Sequence, residues 1–198
     1  MSIQQTAQAL REARVLQFGE FTLRSGAVSP VYVDLRRLPS FPSAMDAATD
    51  ALADIAASLS VDAVVGAETA GIPLAAVAAH KLRLPMAYVR KAPKEYGSRS
   101  QVEGFLEKGA RCVLIDDLIT QGTSKFAFLD GLDAAGVRVE HAVVILDREQ
   151  GGAEALRQRG RTLHALITLR QLIKEYVRAG EISAEKADEA EAYLDANG

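Results

Sequence analysis

Two adjacent carboxylates, Asp116 and Asp117, end an apolar run and are followed by hydroxyls and a glycine. The string is Val113-Leu114-Ile115-Asp116-Asp117-Leu118-Ile119-Thr120-Gln121-Gly122-Thr123-Ser124. A strand that ends in acids and leads through a short turn into a helix offers two kinds of group in one place. The N–H groups and hydroxyls of the turn suit a phosphate resting on the positive end of a helix. Carboxylates a few residues upstream suit the hydroxyls of a sugar, from which they accept. The spacing is not that of a P-loop, since Gly-x-x-x-x-Gly-Lys is missing. The same residue types also occur at plain strand ends with helix-capping side chains.

Two further groups of residues carry charge that could meet an anion. Arg90, Lys91 and Lys94 cluster where residues 91–103 become polar and carry Pro93 and Gly97. That stretch reads as a loop, long enough to suggest more than a connection. On its own it is equally a solvated basic turn. Arg148 stands in Ile145-Leu146-Asp147-Arg148-Glu149-Gln150-Gly151-Gly152. A guanidinium suits a carboxylate, although Asp147 and Arg148 could also form an exposed pair.

These groups need elements to position them. After Pro42, apolar residues recur at Met45, Ala48, Leu52, Ile55 and Leu59, the stripe of an amphipathic helix. Ser43 with Asp46 resembles a capping box at its start. Residues 61–65 read as a buried strand ended by Gly66, residues 71–82 as a helix, and residues 86–89 as the next strand. The acidic strand covers residues 111–118, with a helix over 122–135 stopped by Gly136. Strands follow over 139–146 and 162–167. Thr168 is placed to cap a helix ended by Gly180, and Ser183 to cap a last one reaching residue 194. Apolar strands alternating with helices imply a parallel sheet covered on both faces. The first 40 residues break this alternation. A helix over residues 3–17 and two extended pieces, Phe21-Thr22-Leu23 and Val31-Tyr32-Val33, suggest a small subdomain over the C-terminal edge of the sheet.

Composition narrows the function classes. The chain has 198 residues, 48% hydrophobic and 25% charged, with net charge −3. That supports a real core and no broad basic surface for nucleic acid. Few placed cations, not a global field, must hold an anionic ligand. The lone Cys112 reads as a buried strand residue, which fits a reducing compartment. His80, His141 and His164 lack metal-ligand spacing. Neither a signal peptide nor a span of about 20 apolar residues is visible. These features lead us to expect a cytoplasmic protein with no membrane or nucleic-acid partner.

The acidic string resembles the motif with which type I phosphoribosyltransferases bind phosphoribosyl pyrophosphate (PRPP): an apolar run, two acids, two apolar residues, then Thr-x-Gly-x-Ser/Thr. Three segments are similar to orotate phosphoribosyltransferases in particular. They are Phe21-Thr22-Leu23-Arg24-Ser25-Gly26 with Ser29-Pro30-Val31-Tyr32-Val33-Asp34; Tyr88-Val89-Arg90-Lys91 with Lys94, Tyr96, Gly97 and Val102-Glu103-Gly104; and the stretch around Arg148. Gly66-Ala67-Glu68-Thr69-Ala70-Gly71-Ile72-Pro73 resembles the family's pyrophosphate-side loop. The likeness runs in order over residues 17–172.

The resemblance implies an α/β protein of the type I phosphoribosyltransferase fold, with a mostly parallel sheet flanked by helices. It divides the chain into an N-terminal hood (1–40), a PRPP-binding core (41–180) and a C-terminal helix (181–198). It implies transfer of ribose 5-phosphate from PRPP to orotate, a step of UMP biosynthesis. Asp116 and Asp117 would hold the ribose hydroxyls. Thr120, Gln121, Gly122, Thr123 and Ser124 would hold the 5-phosphate, with Leu118 and Ile119 also part of the PRPP-binding segment. Arg90, Lys91, Lys94 and Tyr96 would meet the pyrophosphate, with Lys91 and Lys94 catalytic beside the two acids. Arg24, Tyr32, Val33, Thr120 and Arg148 would face orotate. Mg²⁺ would be held mainly through PRPP oxygens, with no dedicated protein ligand. The family's homodimer would share its active sites, with the loop acting on the neighbouring subunit. Gln121, Tyr96 and Ala70 depart from commoner family residues. A purine or uracil phosphoribosyltransferase would carry its hood in a later insertion, and a nucleic-acid-binding regulator on this fold would need a basic surface.

Overall fold

The computed structural model describes residues 1–22, 28–93 and 100–197. Helix α1 (Ile3–Glu12) is opened by a capping box between Ser2 and Gln5. The sequence predicts that this helix continues to residue 17, and the structure ends it five residues earlier. Arg14 takes a left-handed φ of 51° and the Val15 N–H turns back to the Leu10 carbonyl at 3.1 Å. That closure frees Leu16 to begin β1 (Leu16–Thr22), antiparallel to β2 (Val28–Val33). A 3-10 helix (Leu35–Ser40), not predicted, leads into α2 (Pro42–Ser58). The predicted capping box of Ser43 and Asp46 is not there: Phe41 is the cap residue and makes no side-chain cap bond. Pro42, in the first turn, sets the helical φ at no cost in hydrogen bonds.

The core follows as β3 (Ala63–Ala67), α3 (Gly71–Leu82), β4 (Met86–Val89), β5 (Val102–Glu103), β6 (Arg111–Ile119), α4 (Thr123–Ala134), β7 (Arg138–Asp147), α5 (Gly152–Gln158), β8 (Thr162–Thr168), α6 (Leu169–Arg178) and α7 (Ala184–Asn197). Strand β3 lies two residues later than predicted. Asp62 clasps the backbone N–H and guanidinium of Arg111 just ahead of it. Gly66 does not end the strand but pairs with Tyr88 and Ile115. The loop predicted over residues 91–103 returns as β5, and α5 fills a stretch where the sequence suggests no helix. Thr168 caps α6 as predicted, in a box with Gln171.

The six-stranded sheet has the order β5-β4-β3-β6-β7-β8, parallel except at β5. Its strands alternate between two apolar layers. Val64, Val113, Ile115, Val143 and Ile145 join side chains of α1, α2, α3, α6 and α7 on one face. Val65, Leu114, Ala142 and Val144 meet Phe128, Leu129 and Leu132 of α4 and Leu156 of α5 on the other. Each such large side chain contributes about 1.5–3 kcal/mol on burial. Leu10 and Leu38 from the first 40 residues, and Ala190 and Leu194 from α7, belong to the first layer. Cys112 is buried as expected, and burial pushes its thiol up to about 11. No helix among the described residues is long and apolar enough to cross a membrane.

The chain winds outward from β3 to β4 in one direction and from β6 to β7 and β8 in the other. The reversal falls between β3 and β6. In open parallel sheets the crevice outside the strand ends at such a point is where ligands bind. Gly71 lets α3 start hard against it: a Cβ there would lie 2.4 Å from the Ile115 carbonyl oxygen.

Candidate active site

Strand β6 carries its apolar residues to the switch point and delivers Asp116 and Asp117 at its C-terminal end. Asp116 is buried. One of its oxygens accepts the Asp117 N–H at 2.9 Å and the other pairs with the ammonium of Lys125. Asp117 is less enclosed and accepts the Leu118 N–H at 2.7 Å. Its pKa is pushed up to about 7, first by burial and then by the charge of Asp116, against the pull of Lys125. The two acids are therefore unequal: one is paired from beneath, and the other sits near its ionisation point at neutral pH.

The turn after them leaves Thr120 half-buried, Gln121, Thr123 and Ser124 exposed, and Gly122 left-handed with φ 83°. Helix α4 starts with no side-chain cap and no acid in its first turn. With no acid in that turn, its first N–H groups and the exposed hydroxyls of Thr123 and Ser124 form an arrangement open to an anion.

On the other side of the switch point, Glu68 follows directly after β3. Its carboxylate accepts the Lys91 N–H at 3.1 Å and lies 3.6 Å from Nε of Arg90. Arg90 also lies 3.9 Å from Glu103 of β5. The guanidinium that the sequence assigns to an anionic ligand is thus flanked by two carboxylates at the stem of the loop. Lys91 is exposed. Gln101, which sequence reasoning did not single out, ties the stem together. Its carbonyl accepts the Arg90 N–H at 2.8 Å, and its side-chain amide donates to the Arg90 carbonyl at 2.8 Å and to Ala127 of α4 at 2.9 Å. Lys94 and Tyr96 lie outside the described residues.

Past β7, the Arg148 N–H bonds to the Ile119 carbonyl at 3.0 Å, joining this turn to the acidic strand. The guanidinium of Arg148 is half-buried, and its Nε is buried with no hydrogen-bond partner. Burial lowers its pKa. Among the described residues it makes no ion pair. Gly152 brings the start of α5 onto the phosphate turn: a Cβ there would meet the Thr120 carbonyl oxygen at 2.3 Å. Tyr32 and Val33 sit on β2, half-buried. Tyr32 stacks on Phe21 with centroids 5.4 Å apart and accepts from Arg36 at 3.0 Å, contacts with β1 and the 3-10 helix. Arg24 lies outside the described residues. The structure therefore brings Asp116, Asp117, the 118–124 turn, Arg90 and Arg148 to the C-terminal ends of the parallel strands, about the switch point. Lys125, Glu68 and Gln101 are the additions.

Residues 37–165 match the phosphoribosyl transferase domain family. An orotate phosphoribosyltransferase of Sinorhizobium medicae is 39% identical over 96% of this chain and 86% of its own. The chain belongs to the orotate phosphoribosyltransferase family. Among solved structures, an orotate phosphoribosyltransferase from Aeropyrum pernix superposes with a TM-score of 0.77 at 35% identity, covering 87% of this chain and 99% of that one. The UMP synthase of Leishmania donovani gives a TM-score of 0.88 at 30% identity, over 98% of this chain and 42% of that longer one. The orotate phosphoribosyltransferase fold thus accounts for the mostly parallel sheet.

Proposed function

We propose that the protein transfers the 5-phosphoribosyl group of PRPP to orotate, giving orotidine 5'-phosphate and pyrophosphate, a step of pyrimidine biosynthesis. The observation that carries this reading is the juxtaposition at the switch point. Two carboxylates and an uncapped helix start suit a ribose 5-phosphate, and beside them Arg148 has a half-buried guanidinium with no carboxylate partner among the described residues.

In this reading Asp117 and Asp116 accept the ribose hydroxyls, and the turn of Thr120, Gly122, Thr123 and Ser124 donates to the 5-phosphate. Arg148 reads the orotate carboxylate, and Arg24, Tyr32 and Val33 belong to the hood over the base. The bond from the anomeric carbon to the pyrophosphate oxygen breaks as orotate N1, its proton released to solvent, bonds to that carbon. Positive charge grows on the ribose and negative charge on the leaving group. Arg90, Lys91, Lys94 and Tyr96 then stabilise the leaving pyrophosphate and shed water from the site. Mg²⁺ would be held mainly through PRPP oxygens, with no dedicated protein ligand, and would neutralise part of the pyrophosphate charge when bound. Residues 1–40 act as the hood, 41–180 as the catalytic core and 181–198 as a supporting helix. The working unit is a homodimer in which Lys94 and Tyr96 serve the neighbouring site, and it works in the cytoplasm.

The test supplies Mg²⁺ and PRPP with orotate, uracil or hypoxanthine in turn and follows the absorbance of each base. Orotate alone should be consumed. Consumption of uracil or hypoxanthine in its place would overturn the assignment.

A further inference from the structure

Lys125 stands at the third position of α4, where a lysine ordinarily runs out to solvent. Here its side chain is 4% exposed and that of its partner Asp116 is 8% exposed. The ammonium pairs with Asp116 and donates to the Leu118 carbonyl at 2.8 Å. These two contacts grip the phosphate turn on its strand side, while the lysine backbone belongs to its helix side. The side chain closes the turn into a ring from beneath.

Stability alone does not explain a charge here. Two ions taken out of water lose hydration that a well-packed apolar pair would never need to lose. Further along α4 the inward positions hold Phe128, Leu129 and Leu132, all buried. The ion pair appears only where the helix passes under the acidic strand end. Both oxygens of Asp116 are held, one by Lys125 and the other by the Asp117 N–H. A carboxylate held at both oxygens keeps its remaining lone pairs in fixed directions.

We infer that Lys125 is a positioning residue of the PRPP site, aiming the Asp116 carboxylate and fixing the phosphate turn against the strand end. The inference rests on the reading of Asp116 as an acceptor of a ribose hydroxyl. The lysine touches no ligand; it acts through Asp116 and Leu118. Its charge also lies under a turn assigned to a dense anion, where it adds attraction without itself occupying the site.

The experiment compares Lys125→Met, Asp116→Asn and the double variant in steady-state assays, varying PRPP and orotate separately, with melting temperatures measured alongside. Lys125→Met keeps the aliphatic length and removes the charge. It should raise KM for PRPP by about tenfold or more and change KM for orotate by less than twofold. The double variant should be no worse toward PRPP than Asp116→Asn, and should melt above Lys125→Met because no buried charge is left unpaired. A lysine that only supports the fold would lower the melting temperature and leave KM for PRPP unchanged at temperatures where the protein is folded. That outcome, or losses that multiply in the double variant, overturns the inference. If Lys125→Met does not fold, the double variant decides against Asp116→Asn alone: equal KM for PRPP supports the role, and a tenfold gap overturns it. Unchanged KM for PRPP in both Asp116→Asn and Asp117→Asn would instead sink the underlying reading of the acids.

Discussion

At Asp117 the site and the fold make opposed demands. Its pKa of about 7 in the folded chain stands above the ordinary value of 3.8. The folded state therefore holds this proton more tightly than the unfolded one. The resulting stabilisation is complete below about pH 4 and is lost as pH rises through about 7. Asp117→Asn removes that slope. In ligand-free melting scans from pH 5 to 8, the variant should lose less melting temperature than the wild type. The same variant should lose about 10–100-fold in kcat/KM for PRPP, the worth of one charge-assisted hydrogen bond. Arg148→Ala separates the two substrates: KM for orotate should rise by about tenfold or more, with KM for PRPP nearly unchanged. Equal effects on both would make Arg148 a structural residue. The acids, the turn hydroxyls and Arg148 were legible because their motifs are contiguous in the sequence. Lys125 was not, because a lysine three residues into a helix has the pattern of a solvent-facing side chain until the strand end beneath it is seen. Glu68 and Gln101 gain their roles from partners brought to them by the sheet, 23 and 26 residues away.

Elements with a long apolar period were readable, and the alternation of strand and helix gave the parallel sheet. The failures have local causes. A non-glycine residue in the left-handed region, Arg14, ended α1 without a mark in the sequence. The two residues of β5 are too few to carry a pattern, and α5 buries only Gly152 and Leu156. Yet α5 matters to the site, because its first residue touches the phosphate turn. Gly152→Ala would force the Thr120 carbonyl and the Ile119 side chain apart from α5. Overpacking of this kind costs about 1–3 kcal/mol. Since the displaced contact lies between the phosphate turn and the Arg148 turn, KM should rise for both PRPP and orotate. An alanine variant with wild-type constants for both would show that the two turns move independently.

Across the whole molecule, side chains from residues 1–40, the sheet and α7 share one apolar layer, while the loop stem is held by polar bonds at the β4–β5 edge of the sheet. Arg170 extends the connection, pairing with Asp195 of α7 at 2.6 Å and lying 3.8 Å from Glu149 beside Arg148. The proposed dimer has a direct check in mixed subunits. Lys94→Ala and Asp117→Asn should each be nearly inactive. Mixing them should regenerate one site with an intact loop over an intact PRPP pocket, recovering up to about a quarter of wild-type activity if subunits reassort at random. With exchange verified by mass spectrometry, no recovery would mean that each loop serves its own subunit. Strand β5 carries a consequence of another kind. Its two residues occupy the outer backbone groups of β4, which would otherwise form a bare edge of the sheet. Such an edge is a template for strands of other molecules. Lesions that unseat Gln101 and peel β5 away should therefore make the protein self-associate as well as slow it, and light scattering should rise with protein concentration where the kinetic defect does not.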